Sequence, residues 1–434
     1  MAAKQAAARQ IQDHAVSVRF LDDWLTSLEN LRCDEDSGRM TFSRDVGIEA
    51  PSDSDAVDGI GSSDTGAQAT SDNTDEPSSA ARLSLVETLM LANELTGYRA
   101  FAEDLERHAY FGSVTHYVTY PFDCALRGLV SALRAHSKQQ VGAGLPAPYY
   151  WIDLTSSERL DVSAAQDVSA VLVPALQAAS CTLLYMGDAG AELRWWSIVE
   201  MALGLGAGRE LHVLLSEADE DGIIEQGSLG ETIDRVLALS KQMAARLAAL
   251  DVAEAPCWAT ARLGSSVESG VGTDALLALT ACVATLLHDA TVAALCEAIS
   301  RQPAPNQPTS LSVLALRLRE SGSLAHALEL FKQSKQAYER VGGAQCNIGR
   351  SLLNVAIVQS QLGQLEQAVA SAQAGLQIFS DDAERRAKSG DCRGDGDNAS
   401  VECAKAMQAL GMMHGKMAQQ KQALSWYSNA DRLL

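Results

Sequence analysis

The chain has 434 residues, and 55 Asp and Glu against 34 Lys and Arg give it a formal net charge of −21. This length exceeds what one hydrophobic core usually organises, so we expect two or three domains. An acidic chain repels nucleic-acid phosphates and anionic lipids, which excludes both as principal partners. We also expect no apolar run long enough to cross a membrane and no secretory signal. Nine cysteines without zinc-type spacing indicate reduced thiols and a cytoplasmic protein.

The N-terminal quarter contains two helical patterns that a polar segment separates. Apolar residues recur at helical spacing over residues 5–32, which predicts an N-terminal helix within 1–33. Residues 34–80 are rich in Asp, Ser, Gly and Thr and poor in large apolar side chains, so they cannot bury enough surface to offset their chain entropy. We predict a disordered acidic linker there. A helical lead-in follows over residues 81–110.

Short apolar strands alternate with helical patterns between residues 111 and 225. The predicted strands cover 114–120, 148–154, 180–187 and 209–216. Strands that alternate with helices predict an α/β domain with a doubly wound parallel sheet. In such a sheet, ligands bind at the carboxyl ends of the strands.

The remainder of the chain is predicted to be all-α. Residues 226–303 form a helical extension, and residues 309–434 contain about three similar helical hairpins. A small alanine marks each hairpin, at Ala327, Ala368 and Ala423, so the repeats are 41 and 55 residues apart. Leu and Gly residues recur around these markers in the same order.

These segments resemble tetratricopeptide repeats (TPR), and their long spacing is similar to that of kinesin light chains. The resemblance implies an α-helical solenoid whose concave face binds a protein partner. No capping helix follows the last predicted repeat, so we expect an apolar face there. That face could contact a protein partner or a second copy of the chain, and the sequence favours neither alternative.

Three short motifs of the α/β region fit one known family. Residues 117–120 read YVTY, 149–153 read YYWID and end in Asp153, and 196–200 read WSIVE and end in Glu200. Together they resemble TIR-like domains, joined to TPR repeats as in algal and protist proteins. The resemblance covers about residues 110–260, and it implies a TIR/flavodoxin-like sheet in a signalling or scaffolding protein.

The same resemblance implies a candidate catalytic residue. In catalytic TIR domains the glutamate at the position of Glu200 cleaves NAD between nicotinamide and ribose, and a carboxylate there stabilises the oxocarbenium-like ribose. Trp196 precedes Glu200 by four residues and shares its helix face, while Thr119 and Asp153 would line the NAD site. Ser197 replaces the family's Cys and Thr119 its Ser, and these departures favour a non-catalytic scaffold.

No metal site is predicted, because the histidines stand apart in the sequence. The acidic segment 391–402 approaches the spacing of a calcium-binding loop, but Arg393 stands where a ligand oxygen is needed. A Ser-His-Asp hydrolase set stays open, although no nucleophile-elbow motif is present. We expect a cytoplasmic signalling or scaffolding protein for which no cofactor is certain and NAD is a possible substrate. The alternative is an NAD nucleosidase that uses Glu200.

Overall fold

The structure divides into two compact units. It is a computed structural model, and the residues it describes are 15–22, 31–33, 40–42, 111–121, 126–152, 174–187, 195–225, 227–249, 271–342, 345–389 and 396–433. The first unit comprises Met1–Ser216 and Leu247–Val283, and the second comprises Glu217–Arg246 and Ala284–Leu434. Every strand that the structure describes belongs to the first unit.

A six-stranded mixed sheet forms the centre of the first unit. The strands among the described residues are β1 (Ala15–Val16), β2 (Leu31–Cys33), β3 (Met40–Phe42), β4 (Phe111–Gly112), β5 (His116–Thr119), β6 (Tyr150–Ile152), β7 (Cys181–Tyr185) and β8 (Glu210–Leu214). The sheet has the order β4-β1-β6-β5-β7-β8, and β2 pairs with β3 separately. β6, β5, β7 and β8 run parallel, whereas β1 is antiparallel to both of its neighbours. The prediction of a wholly parallel sheet is therefore wrong at this edge.

Helices cover both faces of the parallel strands. Helix α1 (Leu126–Gly142) packs on one face, where Val118, Ile152 and Leu183 share a core with its apolar side chains. Helix α2 (Trp195–Gly206) lies on the other face, towards which Tyr117 points. Because successive side chains of a strand point to opposite faces, β5 contributes to both cores.

Two predictions for the N-terminal region need correction. The predicted helix within 1–33 is interrupted by strand β1, whose two residues are fully buried in the sheet. Burial between two strands outweighs the local helical spacing. Strand β3 lies inside 34–80, which we predicted to be disordered. The rest of that segment and the lead-in at 81–110 lie outside the described residues.

The secondary structure described beyond the sheet is helical. Its helices are α3 (Glu217–Ile224), α4 (Leu229–Ala249), α5 (Val271–Ser300), α6 (Gln307–Glu320), α7 (Leu324–Arg340), α8 (Gln345–Gln361), α9 (Leu365–Ser389), α10 (Gly396–Lys416) and α11 (Gln420–Asp431). The pairs α6/α7, α8/α9 and α10/α11 form hairpins, and each hairpin packs against the next through α7 on α8 and α9 on α10. This is the region in which repeats are predicted.

Helix α5 corrects the expectation of no membrane-length apolar run. Its stretch Thr280–Ser300 is long and apolar enough to cross a membrane by length and composition, and among the described residues it is the one such helix. Half of this stretch is buried inside the protein, including Leu287 and Leu295. A core helix of a globular protein passes the same test, so this is weak support for a membrane span.

The three hairpins share one turn. Residues Gly322, Gly363 and Ala418 adopt the left-handed conformation, with φ of 90°, 78° and 59°. After each of them, a backbone N–H returns to a carbonyl five residues earlier: Ser323 to Leu318, Gln364 to Gln359 and Gln419 to His414, at 2.8–2.9 Å. The buried alanine markers follow each turn residue by five positions. Each second helix therefore starts at the same distance from its turn residue, so that equivalent positions of the three helices are buried.

Small residues allow the two helices of a hairpin to approach closely. A Cβ at Gly349 would lie 2.6 Å from the ring of Phe379, which is 1% exposed. A Cβ at Gly411 would lie 2.9 Å from the ring of Tyr427. At the positions equivalent to Gly411, the first two hairpins have the fully buried Ala315 and Ala356. A small residue therefore occupies the same position of the first helix in all three hairpins.

The left-handed turns predict that an Ala→Gly substitution stabilises the protein at a turn residue, whereas the same substitution within a helix destabilises it. We expect Ala418→Gly to raise the free energy of unfolding by about 0.5–1 kcal/mol, because a side chain disfavours positive φ. Gly363→Ala should lower it by about 1 kcal/mol for the same reason. Thermal unfolding of the full chain, followed by circular dichroism, measures both. Ala370→Gly, at an exposed position within α9, is the control and should destabilise. A destabilised Ala418→Gly variant would contradict this reading.

Candidate functional site

Glu200 lies on the side of α2 that faces the sheet. Its side chain is 3% exposed, and the Tyr117 hydroxyl donates a hydrogen bond of 2.6 Å to its Oε1. Tyr117 is fully buried and stacks on Trp151, with ring centroids 4.9 Å apart and an interplanar angle of 15°. The candidate carboxylate is thus held against the central strand of the sheet and does not face bulk solvent.

A polar layer surrounds this contact between the sheet and α2. The side-chain polar atoms of Thr119, Trp151 and Thr182 are buried and have no hydrogen-bond partner among the described residues. Gly204 brings α2 close to this layer, since a Cβ there would lie 2.6 Å from the Thr182 hydroxyl. Buried polar groups are nearly always satisfied in folded proteins, so these atoms have the capacity to bind water or a ligand.

The fold brings together part of the predicted site. Thr119 follows Tyr117 by two residues on β5, so both side chains lie on the α2 face. Ser197 is buried, and its hydroxyl donates to the Tyr120 carbonyl at 3.3 Å, which ties the start of α2 to the end of β5. Asp153 and the side chain of Trp196 lie outside the described residues. The roles of Glu200, Thr119, Asp153 and Trp196 towards NAD stay predictions.

Sequence reasoning missed Tyr117 as the partner of Glu200. These two residues are 83 positions apart, and no local pattern pairs them. A usable signal was the alternation along β5, which places Tyr117 on the same face as Thr119. The pairing also needs α2 to lie over β5, and that follows from the strand order.

Histidines form a second cluster on the opposite face, under α1. The rings of His116 and His136 are 5.0 Å apart at 77°, and both lie within 6 Å of the Tyr150 ring. These histidines are far apart in the sequence, where they suggested no joint role. In the part of the chain that the structure describes, no group of three or more His, Cys, Asp or Glu is arranged to hold a metal ion.

Hydrogen bonds hold His136 in its neutral form. The Tyr150 hydroxyl donates to the Leu133 carbonyl at 3.2 Å, so its oxygen accepts from Nδ1–H of His136 at 2.9 Å. The other ring nitrogen of His136 then accepts from the Gln140 amide at 3.4 Å. Both nitrogens are satisfied without a second proton, and a charged ring would require the Gln140 amide to turn its oxygen towards Nε2.

Burial and like charge also oppose protonation of this cluster. Burial, followed by the nearby His212, lowers the pKa of His116 to about 4. Burial, followed by His116 and then His212, lowers the pKa of His136 to about 4. His212 itself is half exposed and lies 3.3 Å from Glu210. The cluster is therefore neutral at pH 7.

The helical array presents a different candidate surface along its first helices. α8 packs on its hairpin partner α9 and also contacts α10 directly. Arg350 of α8 lies 3.3 Å from the carboxylate of Glu402 on α10, and Lys405 donates to the same carboxylate at 3.2 Å. Together α6, α8 and α10 carry five Arg or Lys and three Asp or Glu. These three helices are therefore net basic within a strongly acidic chain.

Comparison with known proteins gives limited matches. No protein-family model and no curated protein matches this sequence. Among solved structures, BtubC (BKLC) from P. vanneervenii is 12% identical and has a TM-score of 0.20, covering 46% of this chain and 90% of that one. A putative kinesin light chain from Podosopora anserina, with nearly identical TPR-like repeats, is 17% identical with a TM-score of 0.24, covering 49% and 93%. The C-terminal region is helical and TPR-like, and at such low TM-scores that description rests on the hairpins themselves.

The histidine cluster predicts that acid destabilises the first unit. The pKa values of His116 and His136 in the folded state lie below the unfolded value of 6.5, so the unfolded chain binds more protons. Stability is then fully present above pH 6.5 and falls as the pH drops towards 4. We expect a loss of about 2 kcal/mol between pH 7 and pH 5, after allowance for partial exposure. Urea unfolding followed by tryptophan fluorescence measures it.

The double substitution His116→Gln and His136→Gln should remove most of this pH dependence. His414→Gln, in helix α10 of the second unit, serves as the control and should leave it unchanged. An identical loss of stability in the double variant and the wild type would show that other groups are responsible.

Proposed function

We propose that this protein is an interaction scaffold whose helical hairpins bind a protein partner. The observation that carries the proposal is the stack of three hairpins with a common turn and a common buried alanine. Stacked hairpins of this kind build an extended surface that needs little change to accept a peptide or a helix.

The first helices of the hairpins are the surface proposed for the partner. Two of these first helices, α8 and α10, contact each other directly. Their net basic character, with Arg319 and Lys405 among the accessible cations, favours a partner segment that carries carboxylates. Their partly covered apolar side chains would pack on such a segment.

Charge reversal tests which surface the partner uses. Immobilised full-length protein is incubated with an extract of the source cells, and captured proteins are quantified by mass spectrometry. A partner of the first helices should fall at least about tenfold with Arg319→Glu plus Lys405→Glu, because attraction becomes repulsion. Lys332→Glu plus Arg340→Glu, on the second helix α7, is the control of equal charge change. If every captured protein responds equally to both double variants, the proposed surface is wrong.

The sheet unit supports a second candidate function, NAD cleavage by a TIR-like domain. Two observations favour it: the parallel strands have the order β6-β5-β7-β8, and Glu200 lies in a buried polar layer beside Thr119. One observation opposes it. The carboxylate of Glu200 is already bound by Tyr117, so a substrate would have to displace this hydrogen bond.

An assay of nicotinamide release separates the two candidates. We expect the wild-type protein to leave NAD intact, even at high protein concentration, because Glu200 is buried and engaged. Tyr117→Phe removes the hydrogen bond to Glu200 at nearly constant volume, and Glu200→Gln keeps the shape without the charge. Release by the wild type that Glu200→Gln abolishes would establish the enzyme and overturn our preference for a pure scaffold.

A further inference from the structure

Leu424 and Tyr427 of α11 are more exposed than the residues at the equivalent positions of α7 and α9, although one edge of the Tyr427 ring lies against Gly411 of α10. Leu424 is 69% exposed and Tyr427 is 40% exposed, and Leu433 beyond the helix is 43% exposed. Counted from the turn residue, Tyr427 corresponds to Phe331 in α7 and Ala372 in α9. Both of those are fully buried. The last described hairpin therefore leaves open a surface that the other two cover.

Neighbouring hairpins show what covers this surface elsewhere. Val369 of α9, the equivalent of Leu424, packs into a core that includes Cys403, Ala406 and Leu410 of α10. The covering element is thus an apolar helix face laid across the second helix of the hairpin before it. The surface of α11 is suited to another helix of the same kind.

The charged residues of α11 indicate which kind of helix could cover it. Lys421 in the first turn and Asp431 at the last residue are its charged residues, and both are exposed. Each sits at the end where the helix dipole disfavours its sign, so neither is explained by the helix itself. The sequence position midway between Lys421 and Asp431 lies between Leu424 and Tyr427. An identical helix that runs antiparallel would place Lys421 opposite Asp431 twice.

We propose that α11 docks on α11 of a second copy of this chain, antiparallel and about a two-fold axis. Residues 421, 424, 427 or 428 and 431 lie on one helical stripe, since they are three or four positions apart. In a two-fold contact each surface must complement itself. Here Leu424 packs against Tyr427 and Ser428 of the partner subunit, and an ion pair closes each end.

The expected dimer is weak and depends on concentration. One helix from each copy buries less than the roughly 1,200 Å² of a standard stable interface. The basic surface of α6, α8 and α10 is not part of this contact, so partner binding and self-association are separable. The proposal rests on the hairpin geometry and does not need the proposed partner to exist.

Sedimentation velocity of the full-length protein over a wide concentration range tests the dimer. The wild type should shift reversibly from monomer to dimer. Leu424→Glu should weaken association at least about tenfold, because it places two carboxylates in the apolar centre. Leu362→Glu is the control: Leu362 is also an exposed leucine, at the turn between α8 and α9, and its substitution should have no effect. A protein that stays monomeric throughout overturns the proposal.

A charge swap tests the antiparallel orientation. Lys421→Glu and Asp431→Lys, each alone, should weaken association about 3- to 30-fold through paired like charges. The two changes combined in one chain restore opposite charges across the axis, so association should return to within about twofold of the wild type. If the double variant is no better than the single ones, this geometry is wrong. Circular dichroism confirms that each variant keeps its helices.

Discussion

The left-handed residue at the turn of each hairpin is the constraint on which the helical region depends. It reverses the chain at Gly322, Gly363 and Ala418, and thereby sets which side of each second helix faces its partner. The buried alanine five residues later then meets the first helix at the same height in every hairpin. Because all three hairpins start in the same phase, they can stack with one repeating contact. A change of phase at one turn would misalign every contact that follows.

The sheet of the first unit separates two chemically different layers. On the α2 side, a carboxylate, a tyrosine and several unsatisfied polar atoms are buried together. On the α1 side, neutral histidines and a tyrosine share hydrogen bonds near the start of the strands. The alternation of side chains along β5 supplies both layers, through Tyr117 and Thr119 on one face and His116 on the other. One short strand thus contributes side chains to both of these polar layers.

The sequence predicts features that depend on local patterns. The four parallel strands fall inside the predicted segments, because each is a short run of apolar residues between turns. The hairpins are also predictable, since Gly322, Gly363 and the alanine markers recur at fixed spacing. Ala418 escaped notice as a turn residue because alanine has no preference for positive φ. Its position becomes clear only when the hairpins are superimposed on their common turn.

Features that depend on distant parts of the chain could not be predicted. Strand β1 has two residues, and its pairing with β4 and β6 spans about a hundred positions or more. The contact between Tyr117 and Glu200 requires a sheet and a helix that no single segment specifies. The contact between His116 and His136 is a second example. It forms because α1 places His136 over the strand that carries His116. The sequence pointed to Glu200 as a residue of the predicted NAD site, but it did not reveal that Tyr117 donates a hydrogen bond to its carboxylate.

The alanine at the third turn also affects how the array loses its structure. Stacked hairpins behave as a line of neighbours, and in the described part of the chain the last hairpin is supported from one side. Its strained turn lowers the free energy of local opening, so its amide hydrogens should exchange with solvent sooner than those of the first hairpin. A molecule that covers α11 raises this opening energy, and the increase grows with the logarithm of its concentration once that exceeds the dissociation constant. Order in the last hairpin is thereby coupled to whatever binds there.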